Sequence, residues 1–218
     1  MVNVYVVNCS ALPDPLEEPS ILEGLSEQRK QKIMRQRNRL GRKQSLAAGL
    51  LLQEVLFRYE CLEKEVSYGV HGKPQIEGLY FNLSHSGAFV VCAVGTQAVG
   101  CDIEKIKASP KRIAERFFGE KEQRFLNSVS ETERDEAFSR IWTMKEAYVK
   151  MTGEGASIDF RTFDIELGEA VRIFRAGELQ KCQIMEYCLD GYRIAVCSEE
   201  KMFADALEII KMDVAPRE

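Results

Sequence analysis

The sequence predicts an α+β fold built from two similar α/β halves related by a pseudo-twofold, each an antiparallel sheet packed with helices. Three observations predict it. Strand-like and helix-like stretches come in blocks rather than in strict β–α alternation. The 218 residues suffice for one large or two small domains. The segment SGAFVVCAV around Cys92 is echoed by DGYRIAVCS around Cys197, 105 positions later, which is either a chance recurrence of a common pattern, a glycine turn before an apolar strand, or the mark of two similar halves. The halves are accordingly expected at 1–98 and 99–218, with the site in the cleft between them, where ligands often bind.

The elements follow in order. VNVYVVNC is β-rich and reads as a strand, and LPDPLEEPS as turns. Helical periodicity begins after Ser26. Ala48, Leu51, Leu52, Val55 and Tyr59 recur at helical spacing and form one apolar stripe. The basic segment leads into that helix, and Lys32, Arg35, Arg39 and Arg42 project to one side if the segment is helical. From Glu65 to Ile106 short apolar runs broken by glycines read as an antiparallel meander, with turns at Ser86-Gly87 and at 95–97. After Pro110 come a short helix in KRIAERFF, an acidic segment, and a long helix from about Thr132 to Thr152 that ends near Gly153 and Gly155. FDIEL, VRIF, CQIMEYCL and YRIAVCS return to strand, the last two joined by an Asp190-Gly191 hairpin turn.

Composition narrows the function classes. Hydrophobic residues at 45% and charged residues at 29% exclude intrinsic disorder. No run approaches the length of a membrane span and the start lacks signal-peptide character, so a cytoplasmic protein is expected. Cysteines number 7, with no C-x-x-C pair, so neither a disulfide framework nor a structural zinc site is expected. The net charge is −4, yet 29–43 carries eight cations and no acid, leaving −12 for the remainder. That balance argues against a general nucleic-acid binder and for a small polyanionic ligand or an acidic partner.

Three constellations carry chemistry. Asp102 and Glu104, two apart in VGCDIEKI, share one face of a strand whose other face is Val99, Cys101 and Ile103. Two such carboxylates repel unless a cation joins them; the bland alternative is a solvated acidic edge. In WTMKEAYVK, Glu146 and Lys150 lie at i and i+4, the favourable order for a surface ion pair or, alternatively, a third carboxylate with a lysine beside it. Mg²⁺ takes hard oxygen ligands and leaves room for phosphates. Gly72-Lys73-Pro74 and Phe81-Asn82-Leu83-Ser84-His85-Ser86-Gly87 supply donors suited to phosphate oxygens. They do not form a hydrolase elbow, because Asn82 stands where glycine is needed.

In this order and at these separations GKP, FNLSHSG, GCDIE and WTMKEAYVK resemble the 4'-phosphopantetheinyl transferase superfamily, Sfp type, over roughly Ser26 to Ile165. The resemblance implies that family's fold and a reaction that moves the 4'-phosphopantetheine arm of coenzyme A onto a serine of an apo acyl or peptidyl carrier protein, releasing adenosine 3',5'-bisphosphate. It implies Mg²⁺ at Asp102, Glu104 and Glu146, and Lys150 on the pyrophosphate. Lys73, Pro74, Ser84 and His85 would surround the adenine and phosphates, with Arg29, Lys32 and Ser45 aligning more loosely near the 3'-phosphate. Glu146 is the candidate base. Glu122 matches an acidic position near that family's metal site, its role open. Cys101 departs from the family, which usually has a branched apolar residue there, and fills the space adequately. A monomer is expected, without nucleic acid or membrane. Competing readings are a coenzyme A or nucleotide-binding module without transferase activity, and an interaction protein docking acidic partners through the basic segment. Mass gain on an unmodified carrier, given coenzyme A and Mg²⁺, discriminates among them.

Overall fold

The computed structural model describes residues 1–61, 66–68, 74–108, 111–155 and 158–212. Strand β1 (Asn3–Asn8) is followed by helices α1 (Glu27–Met34) and α2 (Arg39–Arg58). The Ser26 hydroxyl caps α1 by accepting the Arg29 N–H at 3.4 Å, and Asn38 Oδ1 caps α2 by accepting the Gly41 N–H at 2.7 Å. The basic segment is therefore two helices and not one. Arg42 turns inward at the break: it holds Asp14 through Nε at 2.7 Å and its terminal nitrogen at 2.5 Å, and it donates to the Gln36 and Arg37 carbonyls. The expected common face of Lys32, Arg35, Arg39 and Arg42 is corrected accordingly.

Short strands β2 (Ser67–Tyr68) and β3 (Pro74–Gln75) pair with each other, and the hairpin β4 (Tyr80–Ser86) and β5 (Phe89–Gly95) follows. Strand β6 (Val99–Lys105) does not extend that hairpin into a meander. It pairs antiparallel with β11, Asp102 facing Ala195 and Lys105 facing Tyr192. The reason is topological: β5 already has β1 on one side and β4 on the other, so no edge of it is free.

Helices α3 (Lys111–Phe117), α4 (Glu120–Ser128) and α5 (Arg134–Thr152) come next, and the acidic segment is thus helical. Gly153 ends α5 in the left-handed conformation, φ 75°, where a side chain is disfavoured. Strands β7 (Phe163–Glu166), β8 (Arg172–Arg175) and β9 (Glu178–Leu179) form a small sheet, and β10 (Gln183–Leu189) and β11 (Tyr192–Ser198) form the second hairpin.

The two halves share a topology. In each, a strand is followed by helices and then by a hairpin whose second strand takes the centre of the sheet, giving the orders β1-β5-β4 and β6-β11-β10. The echoed segments around Cys92 and Cys197 are those two central strands. Helix α2 packs its apolar stripe on one face of the first sheet through Leu46, Leu51, Leu52 and Val55 against Val7, Phe81, Cys92 and Val94. The opposite faces of the two sheets meet through Val4, Val6, Val91, Val99, Cys101, Ile103, Ile194 and Val196. Helix α5 covers the far face of the second sheet through Met144, Ala147, Tyr148 and Met151 against Ala195 and Cys197. Burial on both faces explains why β5 is apolar at every position from Val90 to Val94.

After β11 the chain returns to the first sheet: Phe203 bridges Val2, and β12 (Glu208–Ile209) lies parallel to β1. All seven cysteines are free. Among the described residues no helix is long and apolar enough to cross a membrane.

Candidate active site

The candidate site forms where edge strand β4 of the first sheet runs beside edge strand β6 of the second, under α5. Strand periodicity sends Val99, Cys101 and Ile103 into the core between the sheets and Asp102 and Glu104 to the other face. Gly100 then lets α5 approach, since a Cβ there would lie 2.2 Å from both the Ala147 carbonyl oxygen and the Met151 nitrogen. This approach brings Lys150, 48 positions away in sequence, onto Asp102 with Nζ–Oδ1 at 2.5 Å.

Asp102 is buried, 4% exposed. Its Oδ1 also accepts the Ser84 hydroxyl at 2.7 Å, and Ser84 Oγ in turn accepts Lys150 Nζ at 3.0 Å. Its Oδ2 is buried and meets no hydrogen-bond partner among the described residues. One residue pair along, the Ser86 hydroxyl donates to Glu104 Oε2 at 2.9 Å. Glu146 and Lys150, one turn apart on α5, face this group.

The electrostatics of the group follow from burial and from its neighbouring charges. Burial, reinforced by the charge of Asp102, raises the Glu104 carboxyl above its ordinary range, against the Ser86 bond. Burial also raises Glu146; Lys150 opposes this, and the Asp102 and Glu104 charges add to it. For Lys150 burial acts downward, but the Asp102 charge and hydrogen bond prevail and hold the ammonium above the usual lysine value. His85, although exposed, is pushed down by partial desolvation among its neighbours and then by the Lys150 charge, with Lys32 contributing. Lys32, lowered by burial and by Arg29, therefore belongs to the same electrostatic neighbourhood.

The remaining predicted residues are placed as follows. Arg29 is buried, its aliphatic stem against Gly49, whose Cβ would stand 3.0 Å from Arg29 Cδ. Ser45 is buried in α2 and its hydroxyl has no partner among the described residues. Pro74 lies in β3, and Lys73 lies outside the described residues. Glu122 is not beside the carboxylates. It is paired with Lys145 at 2.8 Å, both side chains almost wholly enclosed, and accepts the Gly119 and Ile165 N–H groups. Lys145 also donates to the Phe160 and Phe163 carbonyls at 2.8 Å. Burial drives Glu122 up and Lys145 down. This pair braces α5 from behind, and nothing in the WTMKEAYVK motif separated Lys145 from its neighbours except its helical phase.

Among the described residues no three carboxylate, imidazole or thiol groups already form a metal cage, Lys150 taking one Asp102 oxygen. The other Asp102 oxygen, buried and without a partner, and two adjacent acids that resist ionising form a donor set suited to a hard dication, which relieves both conditions.

Fold and site together define an α+β protein with a seam of carboxylates, lysine and hydroxyls suited to phosphate chemistry. A family model described as the 4'-phosphopantetheinyl transferase superfamily matches residues 98–197. The chain is 31% identical over 206 residues to the 4'-phosphopantetheinyl transferase Sfp of Bacillus subtilis strain 168, covering 90% of this chain and 92% of that protein. It is 39% identical over 146 residues to the 4'-phosphopantetheinyl transferase psf-1 of Bacillus pumilus, covering 64% and 63%. A solved holo-(acyl-carrier-protein) synthase from Bacillus anthracis, in complex with coenzyme A (3',5'-ADP), is 16% identical with a TM-score of 0.40 over 46% of this chain and 92% of its own, a likeness too slight for anything to rest on. The chain belongs to the 4'-phosphopantetheinyl transferase superfamily, Sfp type. It is an enzyme of that class.

Proposed function

We propose that this enzyme transfers the 4'-phosphopantetheine arm of coenzyme A to a serine of an apo acyl or peptidyl carrier protein, with Mg²⁺, releasing adenosine 3',5'-bisphosphate. The observation that carries the reading is Asp102: a buried carboxylate with one oxygen held by Lys150 and Ser84, the other without a partner among the described residues, and close enough to Glu104 and Glu146 for its charge to act on both. Asp102, Glu104 and Glu146 would hold the metal, which when bound neutralises pyrophosphate charge.

The chain's own residues account for the rest. Ser84, His85, Lys32, Arg29 and Ser45, with Lys73 and Pro74, would take the adenine and phosphates, cations and hydroxyls meeting anionic oxygens. The carrier serine oxygen attacks the phosphorus bearing the pantetheine arm, and the bond from that phosphorus to the leaving nucleotide's oxygen breaks. Lys150, kept charged by Asp102, donates to phosphate oxygen as charge accumulates there. Glu146 accepts the serine proton, directly or through one water. We further propose a cytoplasmic monomer, in which residues 1–98 and 99–218 supply the two walls of one cleft.

The test is incubation of the protein with coenzyme A, MgCl₂ and a panel of apo carriers from fatty-acid, polyketide and peptide synthesis, followed by intact-mass measurement. A gain of one phosphopantetheine on the carrier serine is expected. No gain on any carrier, with coenzyme A still bound, would leave a binding module in its place.

A further inference from the structure

Asn82 and Ser86 have no part in the proposed chemistry, yet they join the two halves. Strands β4 and β6 lie side by side at the edges of different sheets, and no main-chain ladder between them is among the described pairings. The N–H groups of Cys101 and Lys105 point away from β11 toward β4. Side chains meet them: Asn82 Oδ1 accepts the Cys101 N–H at 2.9 Å, and Ser86 Oγ accepts the Lys105 N–H at 3.1 Å. The Cys101 thiol adds a bond to the Asn82 carbonyl at 3.1 Å. The spacing is four residues on both strands, so two rungs bracket Asp102 and Glu104. Ser84, midway between Asn82 and Ser86 on the same face of β4, bonds Asp102 itself.

We infer that Asn82 is a positioning residue, whose side-chain oxygen replaces a missing ladder bond between the sheets and sets Asp102 in register with Ser84 and Lys150. Asn82 is 7% exposed and Cys101 is fully buried, so loss of this acceptor removes a buried hydrogen bond between the two strands. The same rungs thus fix the seam in register. Polar residues at 82 and 86 are what such rungs require, since an apolar side chain there could not accept the edge N–H groups.

This inference rests on Asp102 being at the reacting centre, and the experiment separates the two. Asn82→Ala, Asn82→Asp and Asp102→Ala are compared by steady-state kinetics with coenzyme A and a carrier, and by hydrogen exchange at the Cys101 amide. Asn82→Ala is expected to lose about ten- to hundredfold in kcat, as misplacement near 1 Å can cause, with KM for coenzyme A within about threefold of the parent and faster exchange at Cys101. Asn82→Asp keeps an acceptor oxygen in the same place but adds a buried carboxylate beside Asp102 and Glu104, so recovery of the exchange protection alone is expected. If Asn82→Ala does not fold, Asn82→Asp decides: protection lost at the Cys101 amide overturns the inference. So does Asn82→Ala with parental kcat and rapid exchange at Cys101 while Asp102→Ala is inactive. An active Asp102→Ala instead overturns the functional reading itself.

Discussion

Replacing Gly100 by alanine tests how the site is assembled. The added Cβ would lie 2.2 Å from the Ala147 carbonyl oxygen and from the Met151 nitrogen, whereas ordinary contact begins near 3.4 Å. Both obstacles are helix backbone, so no rotamer change makes room, and β6 and α5 must separate by about 1.2 Å, the difference of those two distances. The Lys150–Asp102 contact of 2.5 Å would then exceed hydrogen-bonding length. Overpacking of this kind costs about 1–3 kcal/mol. At about 2–4 °C per kcal/mol for a chain of this size, Tm should fall by roughly 2–12 °C. Because the displaced groups include Lys150, kcat should fall about a hundredfold. Gly168→Ala is the control, its nearest neighbour being the Ala170 carbonyl oxygen at 3.7 Å, and it should change neither quantity. Thermal denaturation and carrier-loading rates measured on both variants decide the matter. A Gly100→Ala protein with parental Tm and a rate within about twofold would show that α5 does not rest on β6 in this way.

Asp102→Ala should abolish carrier loading and also lower apo stability by about 1–3 kcal/mol, less than for a fully buried pair because Lys150 remains 28% exposed; denaturant titration of the ligand-free protein checks the second half. Glu104 and Glu146 have carboxyls raised by burial, so each contributes stability that is present below its unfolded pKa and lost as pH rises through the folded one. The depressed His85 acts in the opposite sense. Tm of metal-free parent minus that of Glu104→Gln/Glu146→Gln should therefore become more positive from about pH 8 to about pH 5, and a flat difference would contradict the burial of these acids. Glu146→Gln alone should lower kcat by about 10²–10⁴-fold and stay low at excess Mg²⁺ if Glu146 is the base, whereas recovery with metal would make it chiefly a ligand. Lys32→Ala should raise KM for coenzyme A, more at low salt than at high, while Arg42→Ala should lower Tm without that salt-dependent effect, its guanidinium being committed to Asp14.

Much of this molecule is local and therefore visible in the chain alone. Ser26 and Gly153 mark helix ends because capping involves residues within a turn of each other. The Ser86-Gly87 and Asp190-Gly191 turns mark hairpins for the same reason, and alternation along Val99–Lys105 places Asp102 and Glu104 on one face before any partner is known. The echo around Cys92 and Cys197 reports equivalent central strands, because a strand buried on both faces needs the same apolar run wherever it occurs. Tertiary structure decided the rest. That β6 leaves the first hairpin for β11 depends on β5 having both edges taken, a property of the assembled sheet. That Arg42 turns inward depends on Asp14, 28 positions earlier, and that Glu122 braces α5 depends on Lys145, whose motif neighbours Glu146 and Lys150 lie on another side of the helix. Lys150 meets Asp102 only because Gly100 lacks a side chain and Asn82 supplies a rung between two sheets. Periodicity and capping are set within a few residues, whereas the partner of a buried charge is set by which distant segments the core brings together.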